Sequence, residues 1–250
     1  MAAASIPAQP RRRHRARVEP YSDLTVVIPT LNEEGSIGKV LSALTGSYPG
    51  IRVLVADDGS SDGTSRIVGR FHRRHRNVEF IDRSSKRVHG LTASVTDAAM
   101  RARTGKIIVM DGDMQHPPAK VRQLFLALDS CPIAVCVRTD VRNWGLHRRL
   151  ISKGMAGIAY AAFKLRRRPT TRDMMSGFFG IRSSDFKRLI RKHRGGFVMQ
   201  GYKVFLDILR MSEPGTRVAE VPYATFHERK EGKSKFNPKH MAHTLASAFR

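Results

Sequence analysis

The sequence predicts an α/β domain in which a mostly parallel sheet is covered by helices on both faces. Short runs rich in β-branched residues, "DLTVVIPT", "IRVLVADD", "NVEFID" and "KIIVMDGD", recur along the first half of the chain. Between them lie segments such as "NEEGSIGKVLSAL" and "DGTSRIVGRFHRRH", whose apolar residues fall at helical spacing behind an early Asn or Asp. Strands that alternate with helices in this way pair in parallel, because each crossover returns the chain to the same end of the sheet.

The elements run in order from near Ser22. Residues 1–21 combine small residues, prolines and the basic run "RRRHRAR", which predicts a disordered arm. The folded domain is expected over 22–236. After the four early strands, "PIAVCVRT" and "TRVAEVPYATF" read as further strands, and "SSDFKRLIRKHR" and "GYKVFLDILRM" as helices. "GMAGIAYAAFKL" reads as a nearly uncharged helix with "RRRP" behind it. That composition suits either a core helix with a basic end or a segment lying in a bilayer interface. Residues 237–250 read as an amphipathic helix, on a membrane or packed on the domain.

The 250 residues are 41 % hydrophobic, enough for one large core or two small ones. Lys and Arg number 45 against 21 Asp and Glu, a formal charge of +24, so the surface attracts an anion of some kind: nucleic acid, acidic lipid or a phosphorylated substrate. Cys131 and Cys136 are five apart in an extended run and too distant to bond, so they read as core residues. No apolar run is long enough to span a membrane, and the N-terminus carries no signal-type segment; the chain as given is expected in the cytosol, with contact to a membrane allowed.

Ligands of open α/β sheets gather at the carboxyl ends of the strands, and three strands here end in "PTLNE", "DDGSSDGT" and "DGDMQHPP". In the last, Asp111 and Asp113 flank Gly112, and converging carboxylates repel unless a cation bridges them. Mg²⁺ or Mn²⁺ answers that need, because it takes one or two carboxylates and shares its other positions with substrate phosphates. Gln115 offers a neutral amide oxygen as a third ligand. An isolated Asp-Gly-Asp is also an ordinary polar turn, and the residues alone leave both readings open. In "DDGSSDGT", capping of the next helix accounts for Asp62 but not for the adjacent Asp57 and Asp58, at least one of which is expected to meet a ligand hydroxyl or base edge. Asn32 and the glutamates of "IPTLNEE" suit an ordinary helix start as well as a site. Histidines such as His89, His116, His193 and His227 show no metal-ligand spacing and read as surface residues.

Taken in order, "TVVIPTLNE", "DDGSSDGT", "DGDMQHPP", "SGFFGIR", "GYKVFLDIL" and "EVPYATFHERKEGKSK" resemble the family 2 glycosyltransferases, and within them the dolichol-phosphate mannose synthases and related polyprenyl-phosphate glycosyltransferases. The resemblance covers about 23–236 and implies a Rossmann-like, nucleotide-sugar-binding fold of GT-A type. It implies a donor lying across the strand edge, with Pro29, Leu31, Glu33 and Asp58 around the nucleoside, and with Asp111, Asp113 and Gln115 holding a metal on the diphosphate. Leu31 stands where the family frequently has tyrosine, and Gly112 where it usually has alanine. Arg138, Arg148 and Ser152 match the acceptor-phosphate residues, with Arg149 as the alternative to Arg148. Arg229, Ser234 and Lys235 match an acceptor loop that closes over the donor diphosphate, with Ser234 on the acceptor phosphate and Lys235 on the donor, and Lys203 is a further phosphate partner on the donor side.

The implied activity is inverting transfer of a sugar, mannose from GDP-mannose, onto a polyprenyl or dolichyl phosphate, with Mg²⁺ or Mn²⁺ as cofactor. Asp113 and Arg229 are the implied catalytic pair. A UDP-glucose-dependent polyprenyl-phosphate glucosyltransferase is the alternative within the class. Peripheral attachment to the cytoplasmic side of an anionic membrane, with a membrane-anchored partner subunit, goes with such an acceptor. Transfer to a hydroxyl needs a base, and the "TTRDMMSGFF" region carries no base-bearing motif; Asp173 is its nearest acid. A phosphate acceptor is already an anionic nucleophile and needs none. A nucleic-acid-binding protein is the rival from another class, but aromatics are only 7 %, no DNA or RNA motif appears, and acids occupy the ligand edge where phosphates would need counterions. A catalytically silent membrane adaptor on the same fold is opposed by the intact acidic motifs.

Overall fold

A computed structural model describes residues 19–139, 160, 161, 163–193, 195–201 and 203–224. The expected C-terminal helix and nearly all of the expected basic arm lie outside the described residues.

The described elements are β1 (Leu24–Thr30), α1 (Ile37–Ser47), β2 (Arg52–Asp57), α2 (Thr64–Arg74), β3 (Val78–Asp82), α3 (Leu91–Arg101), β4 (Lys106–Val109), α4 (Val121–Ser130), β5 (Ile133–Arg138), β6 (Phe179–Arg182), α5 (Ser183–Lys192), α6 (Val204–Met211) and β7 (Val218–Tyr223). They form one seven-stranded sheet in the order β3-β2-β1-β4-β6-β5-β7. Every pairing is parallel except those of β6, which runs against both β4 and β5. The order reverses between β1 and β4, which makes the crevice at their carboxyl ends the topological switch point.

Strand alternation divides the core in two. Val26, Ile28, Val53, Val55 and Ile108 face one side, under Val40, Leu41 and Leu44 of α1 and Leu124 and Leu128 of α4. Val27, Leu54, Ile107 and Val109 face the other, under α3, α5 and α6. Both faces are therefore covered, as the near-continuous apolar strands require. Each fully buried aliphatic side chain stabilises the fold by roughly 1.5–3 kcal/mol.

Three details go beyond the sequence reading. Tyr21, which composition assigned to the arm, packs edge-on against Tyr48 with ring centroids 4.9 Å apart and against Phe125 at 5.2 Å, so the packed chain begins before Ser22. "SGFFGIR", read only as a motif, supplies the antiparallel strand: Phe178 enters one core and Phe179 and Ile181 the other. Gly180 lets that strand sit close under α4: a Cβ would lie 3.0 Å from Leu128 Cδ1, which would have to give way. Cys136 is buried in β5 and Cys131 half-buried behind α4, both free thiols. Among the described residues no helix is long and apolar enough to cross a membrane.

Candidate active site

The first two turns at the switch-point edge are tied to each other. Asn32, at φ 57°, donates its N–H to Ser60 Oγ at 2.8 Å, and its Oδ1 accepts from Ser61 N–H at 2.8 Å. Glu33 N–H donates to Thr64 Oγ1 at 2.9 Å, and Glu34 N–H to Asp62 Oδ2 at 3.0 Å. Asp62 also accepts from Thr64 N–H at 2.9 Å, which holds the entry to α2. This lacing sets the backbone of Pro29, Leu31 and Glu33 along one wall of the crevice, with Leu31 41 % exposed.

The adjacent aspartates separate into two roles. Asp57 is 2 % exposed and accepts from Thr30 Oγ1 at 2.8 Å, Ser60 N–H at 2.7 Å and Ser60 Oγ at 2.5 Å, so it folds the turn. Asp58 faces the other way, onto the buried guanidinium of Arg83, and accepts from His89 Nδ1 at 3.1 Å and Gly90 N–H at 2.6 Å. Arg83 in turn donates Nε to Asp97 Oδ2 at 2.9 Å, Nη1 to Ser94 Oγ at 3.1 Å and Nη2 to Val88 carbonyl at 2.8 Å. Gly90 adopts φ 135°, and a Cβ on it would meet Met199 carbonyl at 2.6 Å, so only glycine delivers that N–H to Asp58. Sequence reasoning missed Arg83, His89 and Gly90; a basic residue directly after a strand's closing acid in "FIDR" was the available signal.

The stretch after β4 holds a third arrangement. Asp113 Oδ1 accepts from Gln115 N–H at 3.1 Å, and Met114 takes φ 62° to close the turn. His116, expected at the surface, is instead 8 % exposed and stacked on Phe178 with ring centroids 5.0 Å apart. Asp111 N–H donates to His116 Nδ1 at 2.9 Å, which leaves the ring proton on Nε2, 3.7 Å from Asp111 Oδ2. Burial holds the imidazole down at about 4, against the pull of Asp113, so it is neutral at physiological pH. The ring fixes the Asp111 main chain and is turned away from ligand duty.

Gly177, just before β6, leans over the same carboxylate: a Cβ there would stand 3.3 and 3.4 Å from the two Asp111 oxygens. The space beside Asp111 is thus kept open by a missing side chain. No group of three or more His, Cys, Asp or Glu side chains suited to a metal gathers among the described residues. Two carboxylates and the amide oxygen of Gln115 are the sparse, hard set that fits a Mg²⁺ or Mn²⁺ ion still carrying water or phosphate oxygens.

Cations stand on the far wall. Arg138 closes β5 and donates Nε to Asp173 Oδ2 at 3.1 Å. Lys203, ahead of α6, donates to Met175 carbonyl at 3.4 Å; burial lowers its pKa and Arg138 adds to that, while Asp173 and Asp111 oppose it. The structure therefore brings Asp111, Asp113, Arg138, Asp173 and Lys203 into one electrostatic neighbourhood. Of the residues singled out from sequence, Arg148, Arg149, Ser152, Arg229, Ser234 and Lys235 lie outside the described residues. β7 ends at this same edge, paired in parallel with β5 through Arg138 and Tyr223.

Residues 25–190 match the glycosyl transferase family 2 profile. The chain is 33 % identical over 235 residues to a dolichol-phosphate mannosyltransferase of Mycosarcoma maydis, covering 87 % of this chain and 74 % of that protein. It is 29 % identical over 233 residues to the dolichol-phosphate mannosyltransferase of Saccharomyces cerevisiae, covering 87 % and 82 %. Its fold is similar to that of a mannosyltransferase from Pyrobaculum calidifontis solved with GDP-Man and Mn²⁺, with a TM-score of 0.56, 20 % identity, and coverage of 80 % of this chain and 55 % of that one. Sequence profile and relatives agree: the chain belongs to glycosyl transferase family 2.

Proposed function

We propose that the chain is an inverting, metal-dependent glycosyltransferase that moves mannose from GDP-mannose onto a polyprenyl or dolichyl phosphate. The observation that carries this reading is the Arg138–Asp173 pair at 3.1 Å. Asp173, the acid nearest the cationic wall in its stretch of sequence, accepts from Arg138 Nε through Oδ2 and is largely buried, so that oxygen is already engaged and is poorly placed to take a proton from a hydroxyl. A phosphate monoester brings its own negative charge and is attracted by Arg138 and Lys203. Similarity to proteins named dolichol-phosphate mannosyltransferase supports the same donor and acceptor.

In this reading Pro29, Leu31, Glu33 and Asp58 hold the nucleoside, with Arg83 fixing Asp58 from behind. Asp111, Asp113 and Gln115 hold the divalent ion, which when bound supplies positive charge against the leaving diphosphate. Arg138, Ser152, Ser234 and Arg148, or Arg149 in its place, hold the acceptor phosphate in line with the anomeric carbon, and Lys203 meets the donor. A phosphate oxygen forms the new bond to that carbon. The bond to the diphosphate oxygen breaks, the nucleoside diphosphate leaves with the electron pair, and configuration inverts. Arg229, Ser234 and Lys235 close over the donor and add to the charge on the leaving group. A lipid acceptor puts the enzyme at the cytoplasmic surface of a membrane, and Leu165, 88 % exposed between Lys164 and Arg166, suits that position.

Radiolabelled GDP-mannose incubated with dolichyl phosphate and Mg²⁺ or Mn²⁺ tests the reading. Label is expected to move into the organic phase only with metal present. Equal transfer to a free sugar hydroxyl overturns the acceptor assignment, and transfer from UDP-glucose alone overturns the donor.

A further inference from the structure

Away from the transfer edge, Phe163, Arg166, Arg168, His193, Arg210 and Met211 line a cavity of about 190 Å³. Lys203 precedes α6 at the transfer site, whereas Arg210 and Met211 close that helix at its other end, about 11 Å along the axis at 1.5 Å per residue. Neither His193 nor the three arginines takes part in the contacts of Asp58, Asp111, Asp113 or Arg138 described above. The lining holds three guanidinium groups and an imidazole, and no carboxylate.

Part of this positive charge has an internal explanation. Arg168 Nη1 donates to Ser212 carbonyl at 2.6 Å, and Arg210 Nη2 to Gly196 carbonyl and, at 3.3 Å, to Asp207 Oδ1. Both thereby satisfy carbonyls around the ends of α5 and α6. That role does not account for two further atoms: Arg210 Nε and His193 Nε2 are buried with no hydrogen-bond partner among the described residues. Leaving buried polar atoms unpaired is unfavourable. Glu213, whose charge also reaches His193, is exposed and tied to Lys192 at 2.7 Å. Arg167, at φ 54°, turns the chain so that its neighbours Arg166 and Arg168 both reach the cavity.

We propose that this cavity is a second anion site, a receptor for a phosphate monoester distinct from the sugar-transfer centre. Three guanidinium forks match tetrahedral oxygens, and a dianion offsets more of the converging charge than a carboxylate does. The orphaned Arg210 Nε–H gains an acceptor at the same time, and so does His193 Nε2 once it carries the ring proton. Burial, together with Lys192, Arg168 and Arg210, lowers the pKa of His193 against the pull of Glu213, so an arriving dianion also restores the imidazole's tendency to protonate. The monoester has two sources of the same chemistry. One is a soluble phosphomonoester. The other is the headgroup of a phosphatidic-acid-type lipid, which the exposed Leu165 next to Arg166 would accompany into a bilayer.

The test uses the full chain with labelled histidine and the double variant Arg166→Gln with His193→Gln, which leaves the helix-end contacts of Arg168 and Arg210 in place. Glycerol 3-phosphate is titrated while the His193 ring resonances are followed, and flotation is scored on phosphatidylcholine vesicles with and without phosphatidic acid. The His193 resonances are expected to shift, and the double variant to bind about tenfold or more weakly, the loss expected from one or more charge-assisted hydrogen bonds. Response to glycerol 3-phosphate alone assigns the soluble source. Flotation that needs phosphatidic acid and is lost in the variant assigns the lipid. Stationary His193 resonances together with equal flotation of both proteins overturn the proposal. Sugar transfer in detergent is expected to be unchanged in the variant, so the outcome is independent of the transferase reading.

Discussion

Arg83, 2 % exposed, donates its guanidinium to Asp58 from beneath, while Asp97, Ser94 and the Val88 carbonyl hold the rest of the fork. A buried carboxylate is thereby aimed by a buried cation, with Gly90 and His89 completing its donors. Replacing Arg83 by Met leaves Asp58 charged and short of its main partner. Breaking a buried pair in this way costs about 3–5 kcal/mol. Thermal unfolding is expected to fall sharply for Arg83→Met and less for Arg83→Lys, and titration of the folded fraction with GDP is expected to show weakened binding in both. Undiminished stability and GDP affinity in Arg83→Met would remove Arg83 from the donor site.

The split between Asp57 and Asp58 marks where sequence reasoning stopped. The alternation of strands with helices and the acidic strand ends follow from local patterns, because periodicity is a property of contiguous residues. Which of two neighbouring aspartates folds the turn and which is drawn onto a buried guanidinium depends on Thr30 and Arg83, both 25 or more residues away in sequence. His116 read as a surface residue for the same reason: Phe178, which buries it, arrives just ahead of an antiparallel strand that periodicity had not separated from its motif. Gly177 carried no signal of its own, since its value lies in the atoms it leaves out.

His116→Phe retains a ring against Phe178 but removes the acceptor of the Asp111 N–H. The main chain is then free to shift, and outer-shell losses of this kind cost about 10–100-fold in metal affinity. Mn²⁺ titration is expected to show that drop for His116→Phe and a partial recovery for His116→Asn, whose side-chain oxygen can accept in place of Nδ1. Equal Mn²⁺ affinity in all three proteins would reduce His116 to packing.

Asp113→Ala removes one of the two carboxylates and, with it, the acceptor of the Gln115 N–H in the turn. With a cation's charge lost from the leaving diphosphate, transfer is expected to fall by about 10²–10³-fold. Gly177→Ala is expected to act through the same place, because its methyl would crowd both Asp111 oxygens. Near-normal transfer by Asp113→Ala across a Mn²⁺ titration would sink the metal assignment.

Burial pushes the Cys136 thiol up to about 12 from an ordinary 9.0. The folded chain therefore keeps a proton that the unfolded chain releases above pH 9.0. This contribution is complete below that pH and lost as pH rises toward the folded value, at up to about 1.4 kcal/mol per unit. Denaturant titrations are expected to show stability falling more steeply above that pH in the native chain than in Cys136→Ala; identical slopes would mean that the thiol is accessible.

Asp173 and Arg138 decide between two kinds of acceptor chemistry. If Asp173 served as a base, Asp173→Asn would abolish proton removal and lower kcat by about 10²–10⁴-fold. If instead it positions Arg138, the amide oxygen of Asn still accepts from Nε, and the guanidinium loses only a charged tether. The expected result is a rise in KM for the lipid phosphate of about tenfold or less with kcat little changed, together with a pH profile of kcat that keeps its shape. Arg138→Gln, which removes the cation, is expected to be the more damaging of the two. A large fall in kcat for Asp173→Asn with an altered acidic limb would restore a general base to the site and overturn the phosphate-acceptor mechanism.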